Sequence, residues 1–330
     1  MTTSSEPVAE ARRSPARTPD FFIVGHAKSG TTALYEMLRP HPQIFMPTLK
    51  EPWFFATDMR PRFQPRRAGT GPRTLEEYLS LFAAAAPGQR AGEASSSYLW
   101  SRTAAMHIAE VQPAAKIIAI LREPASFLRS LHLQLLQSHV EVKKDFRQAI
   151  SLEDARRRGR KIPRHSHRPQ LLQYSDLVHY VEQLRRYEDL FGRERMLVLI
   201  YDDFRKDNEA TLRTVLRFLE VDETRPLDVL DVNPSILMRS QQLDDLVHAV
   251  SVGRGPLSGA VKTIVKALAP QDIRRGLLTF TRRHIVHGQA PVPDDLFMRD
   301  LRRRFKAEVI ALSEYLDRDL VSLWGYDSLQ

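Results

Sequence analysis

Phe21-Phe22-Ile23-Val24-Gly25-His26-Ala27-Lys28-Ser29-Gly30-Thr31-Thr32-Ala33-Leu34 reads as a strand, a glycine-bounded loop and a helix start. The apolar run at 21–24, set between Pro19-Asp20 and Gly25, suits a buried parallel strand. Gly25 and Gly30 have the separation of the nucleotide-binding loop G-x-x-x-x-G-K-[ST]. However, Thr31 stands in the lysine slot and Lys28 sits inside the loop. Backbone N–H groups of 27–32 that end at a helix amino terminus make an anion site, helped by the helix dipole. The glycines permit the torsions and the close approach such a loop needs. Lys28 adds a charge, and Thr31 and Thr32 add hydroxyl donors. Two glycines five apart are a weak signal alone, since an ordinary strand–turn–helix junction looks the same.

Working outward, residues 116–121 (KIIAIL) and 196–200 (MLVLI) read as two further buried strands. Helices are expected at 33–38, ended by Pro40, and at about 125–139. Two more carry Leu177, Val178, Val181 and Leu184, and Leu212, Val215, Leu216 and Leu219. Strands alternating with helices predict an α/β fold, a three-layer α/β/α arrangement around a central parallel sheet. Ligands in such sheets lie at the carboxyl ends of strands. Lys28 and Arg122 both follow strands directly, so one pocket can contain both.

The chain has 330 residues, no cysteine and a formal net charge of +9. Thiol catalysis, disulfides and cysteine-ligated metals are excluded, and anionic partners are favoured. No apolar run of about 18 residues is present, so a transmembrane segment is not expected. Residues 1–19, rich in Ser, Pro, Arg and Ala, read as a disordered tail, and 20–330 as a single domain. Residues 60–73 read as a mobile loop. A basic loop at 141–170 and a mixed apolar and basic stretch at 253–290 read either as solvated or packed surface helix or as a cap over an acceptor site.

The segment Ile117-Ile118-Ala119-Ile120-Leu121-Arg122, with Ser130 eight residues after Arg122, is a second signature. A guanidinium takes a phosphate as a fork, and a serine two helical turns on can close on the same group. Together with the K-S-G-T-T loop at 28–32, it resembles the sulfotransferase family. Its fold is a P-loop-like relative of the nucleotide-binding α/β proteins. The resemblance implies that Lys28, Ser29, Gly30, Thr31 and Thr32 hold the 5′ end of 3′-phosphoadenosine 5′-phosphosulfate (PAPS). It also implies that Arg122 and Ser130 hold the 3′-phosphate and that Tyr201 lies near the adenine. The product would be adenosine 3′,5′-bisphosphate (PAP), with no metal required. Lys50-Glu51-Pro52-Trp53-Phe54-Phe55 resembles the segment with the catalytic glutamate in heparan-sulfate-type and many bacterial members, which implies Glu51 as general base. Ala94, in Gly92-Glu93-Ala94-Ser95-Ser96-Ser97-Tyr98-Leu99, stands where the heparan-type enzymes carry a catalytic lysine. His287-Gly288-Gln289 lacks the two charges of the family's late cofactor loop.

The expected reaction is in-line sulfuryl transfer from PAPS to a hydroxyl of a small-molecule, lipid or glycan acceptor. Lys28 would neutralise the leaving phosphate. His132, two residues after Ser130, is a packing residue or a second candidate base. Nucleic acid is not an expected partner, a homo-oligomer is open, and the chain resembles a cytoplasmic bacterial member. Two other classes remain. A magnesium NTPase or kinase would use Asp202 or Asp203 after the third strand, though its lysine is displaced. A non-catalytic polyanion binder would show salt-sensitive affinity and indifference to Lys28.

Overall fold

The computed structural model describes residues 17–59, 71–164, 166, 168–225, 237–238, 287–288 and 294–329. The expected mobile loop therefore lies largely outside the described residues, as do most of the expected tail and most of 253–290. Arg17, at the inner end of that tail, donates from Nη1 to the Ala86 carbonyl at 2.8 Å.

Five parallel strands form the central sheet in the order β2-β3-β1-β4-β5. They are β1 (Phe21–Ile23), β2 (Ile44–Phe45), β3 (Arg90–Ala94), β4 (Lys116–Leu121) and β5 (Met196–Ile200). The three strands expected from apolar runs are present, two of them with the bounds expected. β2 and β3 were not expected. β2 is two residues long, and β3 (RAGEA) places a glutamate and a glycine inside the sheet, which breaks the apolar pattern. Gly92 is needed there, because a Cβ at 92 would lie 2.1 Å from the Phe21 ring. A separate antiparallel pair joins β6 (Leu237–Met238) to β7 (His287–Gly288).

Helices α1 (Thr31–Leu38), α2 (Leu75–Ser80), α3 (Ala104–Val111) and α4 (Pro124–Gln137) follow the first four strands, one after each. Then come α5 (Phe146–Ser151), α6 (Glu153–Arg157), α7 (Tyr180–Phe191), α8 (Tyr201–Lys206) and α9 (Asn208–Phe218). The last described helices are α10 (Asp295–Leu316) and α11 (Leu320–Leu323). Leu177 and Val178 lie in a short 3-10 turn, Ser175–Val178, and only Val181 and Leu184 of the expected set are on α7. Leu34, Met37 and Leu38 of α1 and Leu212, Val215 and Leu216 of α9 are buried, as their spacing predicts. Asp207 caps α9 by accepting from the Ala210 N–H at 2.8 Å. No helix among the described residues is long and apolar enough to cross a membrane.

The chain groups into two compact units. The first holds residues 1–127, 175–232 and 306–325, including the five-stranded sheet. The second holds 128–174, 233–305 and 326–330. Within the second unit the basic stretch is not an irregular loop. It contains α5 and α6, and Arg156 is buried against Glu141 with Nη1–Oε2 at 2.7 Å. Tyr174 OH and the Val142 and Lys143 N–H groups also donate to that carboxylate. Burial opposes its charge, but Arg156 and the backbone donors outweigh this and hold Glu141 below the usual carboxylate range. Arg157 and Arg158 are exposed, so the run is part core and part solvated surface.

Candidate active site

The loop after β1 is shaped by what it rests on. A Cβ at Gly25 would meet the Ile120 backbone nitrogen at 2.4 Å, so the loop crosses β4 in direct backbone contact. His26 anchors the crossing. Its Nε2–H donates to Gln183 Oε1 at 2.9 Å, and its ring packs on Phe127 and Tyr180 at 4.7 and 5.1 Å. Burial pushes its pKa down to about 3, so the imidazole is neutral.

Lys28 adopts φ +64° and Gly30 φ +93°. The left-handed region is costly for a lysine, about 1–3 kcal/mol, and surrounding bonds must hold it. One is visible: Arg122 Nη1 donates to the Lys28 carbonyl at 2.9 Å. Burial, and then the Arg122 charge, lower the Lys28 pKa. Two cations are thus held beside each other in a partly desolvated place, an arrangement an anion relieves. The Ser29 hydroxyl is buried and has no partner among the described residues. Orphaned polar atoms are uncommon in interiors, and this one lies in the loop that opens α1. The residues present therefore fit a nucleotide phosphate. Thr31 is buried at the first turn of α1 and Thr32 is exposed.

Tyr201 opens α8, and its ring centroid lies 4.8 Å from the Arg122 guanidinium carbon. The structure thus brings Lys28, Arg122 and Tyr201 together. Ser130 is buried on α4 in the second unit. His132 is a packing residue: Nε2 bonds the Lys143 carbonyl at 2.7 Å and the ring stacks on Phe146 at 4.9 Å. Burial lowers its pKa. Asp202 and Asp203 are already engaged. Asp202 accepts from Trp324 Nε1 at 2.9 Å, and Asp203 takes both Nη atoms of Arg318, Nη2 at 2.8 Å. No cluster suited to a metal occurs among the described residues.

Glu51 is built from the neighbouring strand end. Its N–H donates to the Ala94 carbonyl at 3.0 Å, and Trp53 N–H donates to Ser95 Oγ at 3.2 Å. Glu51 and Trp53 both have positive φ, +59° and +52°, on either side of Pro52. The carboxylate accepts four bonds. Lys50 Nζ (2.7 Å) and Ser96 Oγ (2.9 Å) reach Oε1, while Trp53 Nε1 (2.6 Å) and Ser96 N–H (3.0 Å) reach Oε2. Sequence reasoning took Glu51 but not these partners. Lys50 and Trp53 flank Glu51 in the quoted segment, and the serine run after β3 signals Ser96. With Ala94 a bare methyl, the ammonium beside Glu51 comes from Lys50.

The two halves leave the sheet side by side. Ile23 pairs with Ala94, Ser95 N–H donates to the Ile23 carbonyl at 3.1 Å, and Leu99 N–H donates to the Val24 carbonyl at 2.9 Å. Loop and glutamate therefore both lie at the carboxyl ends of the adjacent strands β1 and β3, the end at which parallel sheets bind ligands.

Glu93 lies behind this edge. It is fully buried on β3, with Tyr78 OH and Tyr98 OH donating to Oε2 at 2.9 and 3.0 Å. Oε1 has no partner among the described residues. Burial pushes its pKa up to about 7 from an ordinary 4.5, against the pull of its hydroxyl donors. A carboxyl raised on folding holds a proton that the unfolded chain has lost, so stability falls as pH rises from 4.5 through about 7. Glu93→Gln is expected to stabilise the protein by about 3 kcal/mol at pH 8 and to leave it unchanged at pH 4. Urea denaturation at both pH values measures this, and equal effects at both would refute the shift.

A five-stranded parallel sheet covered by helices, with a phosphate-type loop at the end of its first strand, defines a P-loop-like α/β fold. The family profile described as the sulfotransferase domain matches residues 18–251, and the chain belongs to the sulfotransferase family. It is similar to a sulfotransferase from Alicyclobacillus acidocaldarius, with 25% identity and a TM-score of 0.64 over 93% of this chain and 98% of that one. It is 33% identical to mouse carbohydrate sulfotransferase 15 over 37% of this chain and 28% of that protein. It is also 33% identical to human heparan sulfate glucosamine 3-O-sulfotransferase 6 over 36% of this chain and 31% of that one. The matched stretch spans about three-tenths of the length of these curated relatives.

Proposed function

We propose that the protein transfers the sulfuryl group of PAPS to a hydroxyl, with Glu51 taking the acceptor proton. The observation that carries this reading is the juxtaposition at the carboxyl ends of the paired strands β1 and β3. The strained Lys28 loop latched by Arg122 and the Glu51 turn leave adjacent strand ends there. Lys28, the buried Ser29 hydroxyl and the N–H groups opening α1 would hold the 5′-phosphosulfate. Arg122, over Tyr201, would hold the 3′-phosphate. Sulfuryl oxygens carry less charge than phosphoryl oxygens, so one ammonium and oriented dipoles suffice as the acceptor oxygen displaces the bisphosphate in line. Acceptors named in the matched relatives are glycans, which supports a carbohydrate hydroxyl first, with lipid and small-molecule hydroxyls after it.

Adenosine 3′,5′-bisphosphate is expected to raise Tm without magnesium, through a stabilisation of RT ln(1 + [L]/Kd), or about 2.7 kcal/mol at 100 times Kd. Mg-ATP giving the larger shift would favour a kinase or NTPase. Equal shifts from any polyanion would favour a binding module.

A further inference from the structure

Arg122 does more than present a charge to a ligand. One edge of its guanidinium donates to the Lys28 carbonyl at 2.9 Å, while its central carbon lies over the Tyr201 ring, 4.8 Å from the centroid. Its own carbonyl accepts from Tyr180 OH at 2.9 Å, so its main chain is fixed as well. A guanidinium carries five N–H donors in one rigid plane. Among the described residues, the Lys28 carbonyl is the hydrogen-bond acceptor it meets, which leaves the outer edge for an anion. Lys28 in turn is held at φ +64°, a conformation that its surroundings must impose.

We propose that Arg122 couples the two phosphate subsites of the nucleotide site. An anion on the outer edge of the guanidinium fixes the plane, and the inner edge then fixes the strained peptide that carries the Lys28 ammonium. This rests on the nucleotide reading above. The coupling follows from two effects of the same sign. Ordering the guanidinium with one anion removes conformational freedom that the second would otherwise have to remove. Neutralising Arg122 also relieves the repulsion that disfavours the neighbouring ammonium. Coupling of this kind is reciprocal, so the 5′ anion strengthens the 3′ contact by the same factor.

Titration calorimetry on the full chain with adenosine, its 5′-phosphate, its 3′-phosphate and its 3′,5′-bisphosphate closes a cycle. The 3′-phosphate is expected to improve affinity about tenfold more when the 5′-phosphate is present than when it is absent. In Arg122→Lys, which keeps the charge and loses the fork, that ratio is expected to fall to about one. If that variant does not fold, Tyr201→Leu is read in the same way. A ratio near one in the unsubstituted protein, with the bisphosphate still bound, overturns the coupling and leaves the site assignment standing. A ratio unchanged in both variants removes Arg122 from the coupling. Failure of the bisphosphate to bind at all overturns the site assignment, and the coupling with it.

Discussion

Replacing Lys28 with alanine is expected to lower the rate of sulfuryl transfer by about 10²–10³-fold, the typical effect of removing one preorganised contact to developing charge. The expectation rests on how the lysine is held. Its backbone is left-handed, its carbonyl is bonded by Arg122, and its ammonium is disfavoured by burial and by the Arg122 charge. A charge held so unfavourably in the free protein gains most when negative charge develops beside it. Alanine keeps the backbone strain and removes only the ammonium. Lys28→Gly relaxes the strain, by about 1 kcal/mol or more, and should be the more stable but equally slow variant. Labelled donor with a panel of hydroxyl-bearing glycans, lipids and small alcohols reads the rate. Near-normal transfer by Lys28→Ala would sink the loop assignment.

Glu51→Gln is expected to lower kcat by about 10²–10⁴-fold while leaving bisphosphate affinity unchanged. All four lone-pair positions of the carboxylate are engaged. An acceptor hydroxyl must displace one donor before it can give up a proton. Ser96 N–H belongs to the backbone and Trp53 carries a bulky ring, while Lys50 sits on a flexible four-carbon stem and is the donor best able to yield. The amide also turns an N–H₂ toward two of these donors, so some stability is lost, on the order of 1–3 kcal/mol. A Tm measured beside kcat separates the two effects. Full activity in Glu51→Gln, with the protein folded, would assign the proton transfer to another group.

Much of the fold was legible because three strands read as continuous apolar runs at 21–24, 116–121 and 196–200, the first two fully or almost fully buried and the third, at the sheet edge, partly so. β3 was hidden for the reason that makes it useful. Glu93 interrupts the pattern, and the strand end carries serines that hold Glu51 and Trp53 instead of side chains that fill a core. Lys28 and Arg122 stood out as a lysine misplaced in a loop and an arginine closing an apolar strand, whereas Glu51 was singled out only by the resemblance of 50–55 to a family segment. Their long-range supports were not legible. The Arg122 bond to the Lys28 carbonyl and the His26–Gln183 pair join residues 94 and 157 positions apart, and no local pattern encodes such pairings. The basic stretch was legible only in part, since charge alone does not tell a buried Arg156 from a solvated Arg157.

The β4–β5 ladder sets a schedule. It pairs residues 117–121 with 196–200, and the Tyr201 ring beneath Arg122 follows at once. The loop at 25–30 rests on β4, so its seat cannot be finished until chain some 170 residues further on has arrived. Closing such distant parallel pairs is slow, and during synthesis KIIAIL waits as an unpaired apolar edge until MLVLI has emerged. The candidate site is thus among the last parts of the sheet to mature. In refolding, nucleotide-binding competence should appear with the final sheet signal rather than with early helix formation.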